Sequence, residues 1–183
     1  MDITIETLDA PTDAELAELV AVLDDIVAGG ASVGFMLPID AAVHAAFWRE
    51  VRAGVVAGTR VLLVARDARR IVGTVQLDLA QRPNGLHRCE LQKLLVLGSH
   101  RRRGIAAALV CAAEDAARAR QRTLIVLDSG ATGNALGIYD RAGYTRVGVI
   151  PRFARDPDGP LIDTVVYYKE LAPVPAAGSS TSQ

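Results

Sequence analysis

Cysteine is scarce in this chain: of 183 residues only Cys89 and Cys111 carry thiols, and neither has a second Cys or a His at ligand spacing. That excludes a disulfide framework and a structural metal site, and predicts two buried thiols in a reducing cytoplasm. Aromatics are few, at 4% of residues, which leaves little for stacking bases. An excess of one charge is also missing. The 20 Lys+Arg and 21 Asp+Glu sum to -1, without the basic surplus that nucleic acid or an anionic membrane demands. No apolar run approaches the roughly 18 residues of a bilayer span. The N-terminal stretch Ile3-Thr4-Ile5-Glu6 alternates like a strand and lacks the pattern of a signal peptide. These absences predict a cytoplasmic protein that engages neither nucleic acid nor membrane, as a monomer or homodimer.

Several catalytic strings are absent too. There is no Gly-x-x-x-x-Gly-Lys-Ser/Thr, no Gly-x-Gly-x-x-Gly after a strand, no Gly-x-Ser-x-Gly elbow and no His-Glu-x-x-His. Nucleotide hydrolysis, dinucleotide binding, serine hydrolysis and zinc proteolysis therefore have no support. His44, His87 and His100 are scattered and read as surface or turn residues, so no metal is expected.

An apolar fraction of 50% over this length suits one domain with a full core. Residues 1–172 form that domain, and 173–183, made largely of Pro, Ala, Gly and Ser, read as a disordered tail. Thr12-Asp13-Ala14-Glu15 is a capping box, and Leu16, Leu19, Val20, Leu23, Ile26 and Val27 follow at helical spacing up to Gly29-Gly30. A loop with exposed apolar groups spans 31–38, and Asp40 caps a second helix to about 57. Strands are predicted at 60–66, 70–79 and 87–97, then a helix at 104–120, a strand at 123–128, a helix at 131–141, and strands at 144–150 and 161–169. This order is an α+β (mixed α/β) layer fold.

The most informative segment runs from Leu94 to Ala106. A strand ends, a short loop holds Arg101, Arg102 and Arg103, and Gly104 opens a helix with Ile105 and Ala106. A helix N-terminus leaves four amide hydrogens unpaired and carries partial positive charge, so it suits an anion. Between 99 and 122, six arginines face Glu114 and Asp115, a local excess of four in an otherwise acidic chain. The alternative is a solvated helix end.

Arg101-x-x-Gly104-x-Ala106 after an Ile/Leu/Val-rich strand resembles the acyl-CoA signature of the GNAT superfamily of N-acetyltransferases, and the element order is similar over most of the chain. The resemblance implies a central, mostly antiparallel twisted sheet with one splayed parallel strand pair and helices on both faces. It also implies acetyl-CoA as co-substrate, its pyrophosphate held by Arg101, Arg102, Arg103, Gly104, Ile105 and Ala106, and its pantetheine by the main chain at Leu94, Leu95 and Val96. Segments 29–36, 83–86, 90–94, 144–148 and 157–159 further resemble the tabtoxin-resistance branch of that family, which acetylates the amine of a β-lactam-bearing amino-acid toxin.

Acetyl transfer to an amine requires removal of a proton from nitrogen, donors for the oxyanion and an acid for the thiolate. Glu90 lies on an otherwise apolar strand, where a carboxylate is costly unless partnered or facing a cleft; strict alternation places it on one face with Gln92, Leu94 and Val96. Asp128 ends the 123–128 strand, where it also suits a helix cap. The resemblance implies that Glu90 and Asp128 extract the amine proton and that Tyr139, in Ala135-Leu136-Gly137-Ile138-Tyr139, protonates the leaving sulfur. Gly34, Phe35, Met36 and Gln92 are expected on the acceptor side. Many members carry Asn seven residues before that tyrosine, where this chain has Thr132, with Asn134 two residues later. The expected activity is N-acetylation of a small amine; the alternatives are a non-catalytic acyl-CoA-binding regulator and a protein N-acetyltransferase.

Overall fold

A capping box starts the first helix as the sequence requires. The Thr12 amide donates to the Glu15 carboxylate at 2.8 Å, and the Glu15 amide donates back to Thr12 Oγ1 at 3.3 Å. From such local signals the computed structural model, which describes residues 3–131 and 135–172, builds one seven-stranded sheet flanked by helices. The elements are β1 (Ile3–Thr7), α1 (Asp13–Ala28), α2 (Ala41–Val56), β2 (Arg60–Asp67), β3 (Arg70–Leu79), β4 (Arg88–Val96), α3 (Ile105–Ala119), β5 (Leu124–Gly130), α4 (Leu136–Arg141), β6 (Thr145–Arg155) and β7 (Leu161–Glu170). The tail at 173–183 and the comparison at Thr132 and Asn134 lie outside the described residues.

The strand order is β1-β2-β3-β4-β5-β7-β6, and every neighbouring pair is antiparallel except β4 with β5. The α2 helix lies over one face of this sheet. A Cβ on its Gly54 would approach Arg60 Cβ to 3.2 Å, and Arg60 reaches across the same face to Gln76 at 3.2 Å and Asp78 at 3.0 Å. The α3 helix lies over the other, where Leu109 packs against Gly73. Leu19, Leu23, Trp48 and Val51 fill one layer, and Leu109, Ile125 and Tyr167 are buried in the other. Removing this much apolar surface from water is the main drive for folding.

Three expectations about single residues need correction. Cys89 is buried, but Cys111 is exposed, because α3 buries Ile105, Leu109, Val110, Ala113 and Glu114 on a stripe that leaves Cys111 outside it. His44 is not a surface residue. It lies one and two helical turns from Trp48 and Val51 on the buried side of α2, with Nδ1 2.5 Å from an Asp24 oxygen on α1. The fourth helix starts at Leu136, well past Asp128, so Asp128 caps no helix.

Candidate active site

The parallel pair sets the geometry of the site. β4 and β5 pair only at Arg88–Leu124, Cys89–Ile125 and Glu90–Val126, although both strands continue beyond these residues. β5 stays bound to β7 as far as Gly130, so a V-shaped gap opens between the two strands from Glu90 onward. Along that gap, the β5-facing main chain of β4 has no strand partner from Leu91 to Val96. Main-chain polar groups left unpaired in a sheet require another partner, and a ligand with amides of its own can provide one.

A β-bulge interrupts β4 inside the gap. Gln92 opposes Gln76 and Leu95 opposes Thr74, so Lys93 and Leu94 together face Val75 alone. Lys93 absorbs the extra residue with a positive φ of 50°. Strict alternation therefore fails here: Glu90 and Gln92 share the face of Asp78 and Gln76, whereas Val96 pairs with Gly73 and lies on the other. The expected common face for Glu90, Gln92, Leu94 and Val96 is corrected by this one residue.

At the far end of β4 a 3₁₀ turn, Gly98–His100, leads to α3. The Gly98 amide donates to the Asp25 carboxylate of α1 at 2.8 Å, and Arg103 donates to the Ser99 carbonyl at 3.2 Å. Arg101, Arg102 and Arg103 are exposed. Gly104 is the N-cap of α3 with φ 79°, no side chain caps the helix, and its first turn holds no acid. Ile105 is buried beneath the turn, and the space a Gly104 side chain would enter is open. The amides at the start of α3 thus face an uncluttered, arginine-rich mouth, and this donor set fits a pyrophosphate.

The expected acids flank the gap. Glu90 is half-buried at its vertex, and Asp128 is exposed on β5 opposite Val166. Tyr139 of α4 is 5% exposed, with its ring 5.7 Å from those of Tyr144 and Tyr167. Burial raises its phenol above the usual range, and the nearby Asp128 charge adds to the shift. Its hydroxyl makes no hydrogen bond among the described residues.

On the acceptor side, Phe35 stands edge-on to His44 at 4.7 Å and to Phe47 of α2 at 5.2 Å. Gly34 adopts φ 89°, and a side chain there would come within 3.5 Å of Lys93 Nζ. Met36 is 43% exposed and makes none of these contacts. The loop before α2 is tied to the β6–β7 turn: Ser32 Oγ donates to the Arg155 carbonyl at 3.1 Å, and the Leu37 amide to the Pro157 carbonyl at 2.9 Å. Lys93 and Phe47 join the cluster although the sequence did not single them out. The one signal was the adjacent pair Leu94-Leu95, which breaks the period of two. Among the described residues no group of three or more His, Cys, Asp or Glu is placed to hold a metal, and no helix is long and apolar enough to cross a membrane.

Residues 58–146 match the family model described as an acetyltransferase (GNAT) domain. The whole architecture is similar to solved structures of that kind. An N-acetyltransferase from Staphylococcus aureus Mu50 superposes with a TM-score of 0.78 at 16% identity, covering 94% of this chain and 100% of its own. YncA from Salmonella typhimurium, solved with its cofactor acetyl-CoA, gives 0.78 at 16% identity over 98% and 99%. A ribosomal-protein-alanine N-acetyltransferase from Brucella melitensis gives 0.76 at 21% identity over 92% and 99%. At these identities it is the fold that is shared.

Proposed function

We propose that this chain, whose residues 58–146 match the GNAT acetyltransferase domain model, is an acetyl-CoA-dependent acetyltransferase that moves an acetyl group directly onto the amine of a small, amino-acid-like molecule. The observation that carries this reading is the gap beginning at Glu90, with β4 main chain that lacks a strand partner along one wall, an arginine-rich helix mouth at its end and Asp128 on the other wall.

Acetyl-CoA supplies the acetyl thioester. Main-chain amides at Gly104, Ile105 and Ala106 hold its pyrophosphate, with Arg101, Arg102 and Arg103 adding positive charge. Main-chain groups at Leu94, Leu95 and Val96 bind the pantetheine and the thioester carbonyl, and so stabilise the oxyanion. Glu90, with Asp128 as orienting partner, takes the amine proton directly or through a water, because an α-amine of pKa ~8 is mostly ammonium at neutral pH. The N–C bond forms, the C–S bond breaks, and Tyr139 gives its proton to the departing thiolate. The raised phenol pKa keeps that proton in place throughout the working range.

The finer reading, an amino-acid or β-lactam toxin of the tabtoxin type as acceptor, rests on the five acceptor-side segments of the sequence. The contacts of Ser32 and Leu37 with the β6–β7 turn support it, since they bring two of those segments into one surface.

The test is thiol release from acetyl-CoA over a panel of amino acids, β-lactam amino acids, simple amines and short peptides. Exposed Cys111 would react once with the thiol reagent, whereas burial raises the Cys89 thiol to about 12, so the background is set by enzyme concentration. Turnover of small amino-acid-like acceptors is expected. Tight CoA binding without release on any acceptor would favour a regulator, and preference for peptides would favour a protein acetyltransferase.

A further inference from the structure

Lys93 is a cation in an unusual position, and the bulge puts it there. Its positive φ turns the side chain toward the face of Glu90 and Gln92, so Nζ lies 5.7 Å from the Phe35 ring centre and 5.5 Å from that of Phe47. Gly34 leaves open the space beside Nζ that a side chain would narrow. Burial pulls the ammonium below its ordinary pKa. The charges of Asp128 and Glu90 push it back up, and that of Arg60 opposes them. Yet Nζ makes no hydrogen bond and no ion pair among the described residues. Two ring faces attract a cation but accept no strong hydrogen bond, so three N–H donors remain open in a mostly desolvated pocket.

We propose that Lys93 is a specificity-determining residue that binds the carboxylate of the acceptor, and that the enzyme therefore selects amines bearing an anionic group. The proposal deepens the small-molecule acetyltransferase reading and rests on it. A zwitterionic acceptor matches the charges of the pocket. Its amine goes to Glu90 and Asp128 at the vertex of the gap, and its carboxylate to the ammonium beside the Phe35 and Phe47 rings. An acceptor without the carboxylate would leave a partly buried charge unpaired, which binding sites built around a charge reject strongly. A role for Lys93 as the proton acceptor predicts a different outcome, an equal loss with every amine.

The test compares kcat/KM for α-amino acids with that for the same molecules lacking the carboxylate, in the wild type, Lys93→Met and Lys93→Arg. We expect the wild type to favour the amino acids. Lys93→Met should lower that preference by roughly 10- to 100-fold, through KM, and Lys93→Arg should restore part of it. Acetyl-CoA affinity of each variant, from calorimetry, reports whether the gap is intact. An equal loss on both acceptor classes would overturn the proposal, as would a preference that Lys93→Met leaves unchanged. If the wild type acetylates both classes equally, the Lys93 reading fails and the acetyltransferase reading stands; if it acetylates neither, both fail.

Discussion

Replacing Glu90 with glutamine lowers kcat by roughly 10²-fold or more while the acetyl-CoA dissociation constant stays nearly unchanged, as expected when a general base is lost and binding is spared. Glutamine keeps the shape of the side chain and its capacity to accept a hydrogen bond, but it cannot take a proton. The main chain is held independently of that change, because Glu90 is ladder-paired to Asp78 on β3 and to Val126 on β5. The loss corresponds to about 2.7 kcal/mol of barrier, within the range for one positioned acid or base. Asp128 and water remain nearby, which is why residual turnover is expected. Steady-state kinetics paired with calorimetry decide the matter. A fall in cofactor affinity equal to the fall in kcat would make Glu90 a structural residue.

Gly104→Asp has the second large effect, at the other end of the gap: it abolishes measurable acetyl-CoA binding. The position has φ 79°, which Asp and Asn tolerate better than most side chains, and open space for a Cβ. The fold is therefore expected to survive, and the introduced carboxylate stands at the mouth proposed to hold the diphosphate. Two anions a few ångströms apart repel by up to about 4 kcal/mol at a protein surface, enough to weaken binding by roughly three orders of magnitude. Gly104→Asn separates charge from bulk, because it adds nearly the same atoms without the charge. Measurable binding in the Asn variant and none in the Asp variant is the expected pair. Unaltered binding in the Asp variant would remove the loop from the pyrophosphate site.

Much of this architecture could be read from residue patterns because its signals are local. The Thr12 box, the Asp40 cap and the glycines after α1 act within one helical turn, and the structure places the first two helices where those residues put them. The helix mouth at Gly104 was legible for the same reason. The bulge was not. It depends on Gln92 and Leu95, three positions apart on β4, finding partners only two positions apart on β3, Gln76 and Thr74, which is a property of the assembled sheet. With the bulge hidden, alternation assigned Val96 to the wrong face and left Lys93 unnoticed. Tertiary context also decided His44, whose hydrogen bond to Asp24 crosses between two helices, and Glu114, a buried acid made tolerable by Lys169 at 2.6 Å and Arg118 at 3.3 Å.

In the proposed mechanism one helix mouth and one strand gap jointly aim a thioester at a pair of acids. A crystal structure of the acetyl-CoA complex tests it most directly. The pyrophosphate is expected on the amides of Gly104, Ile105 and Ala106, the pantetheine along Leu94, Leu95 and Val96, and the acetyl carbon facing Glu90 and Asp128. A cofactor seated elsewhere, or an acetyl group pointing away from both carboxylates, would contradict it.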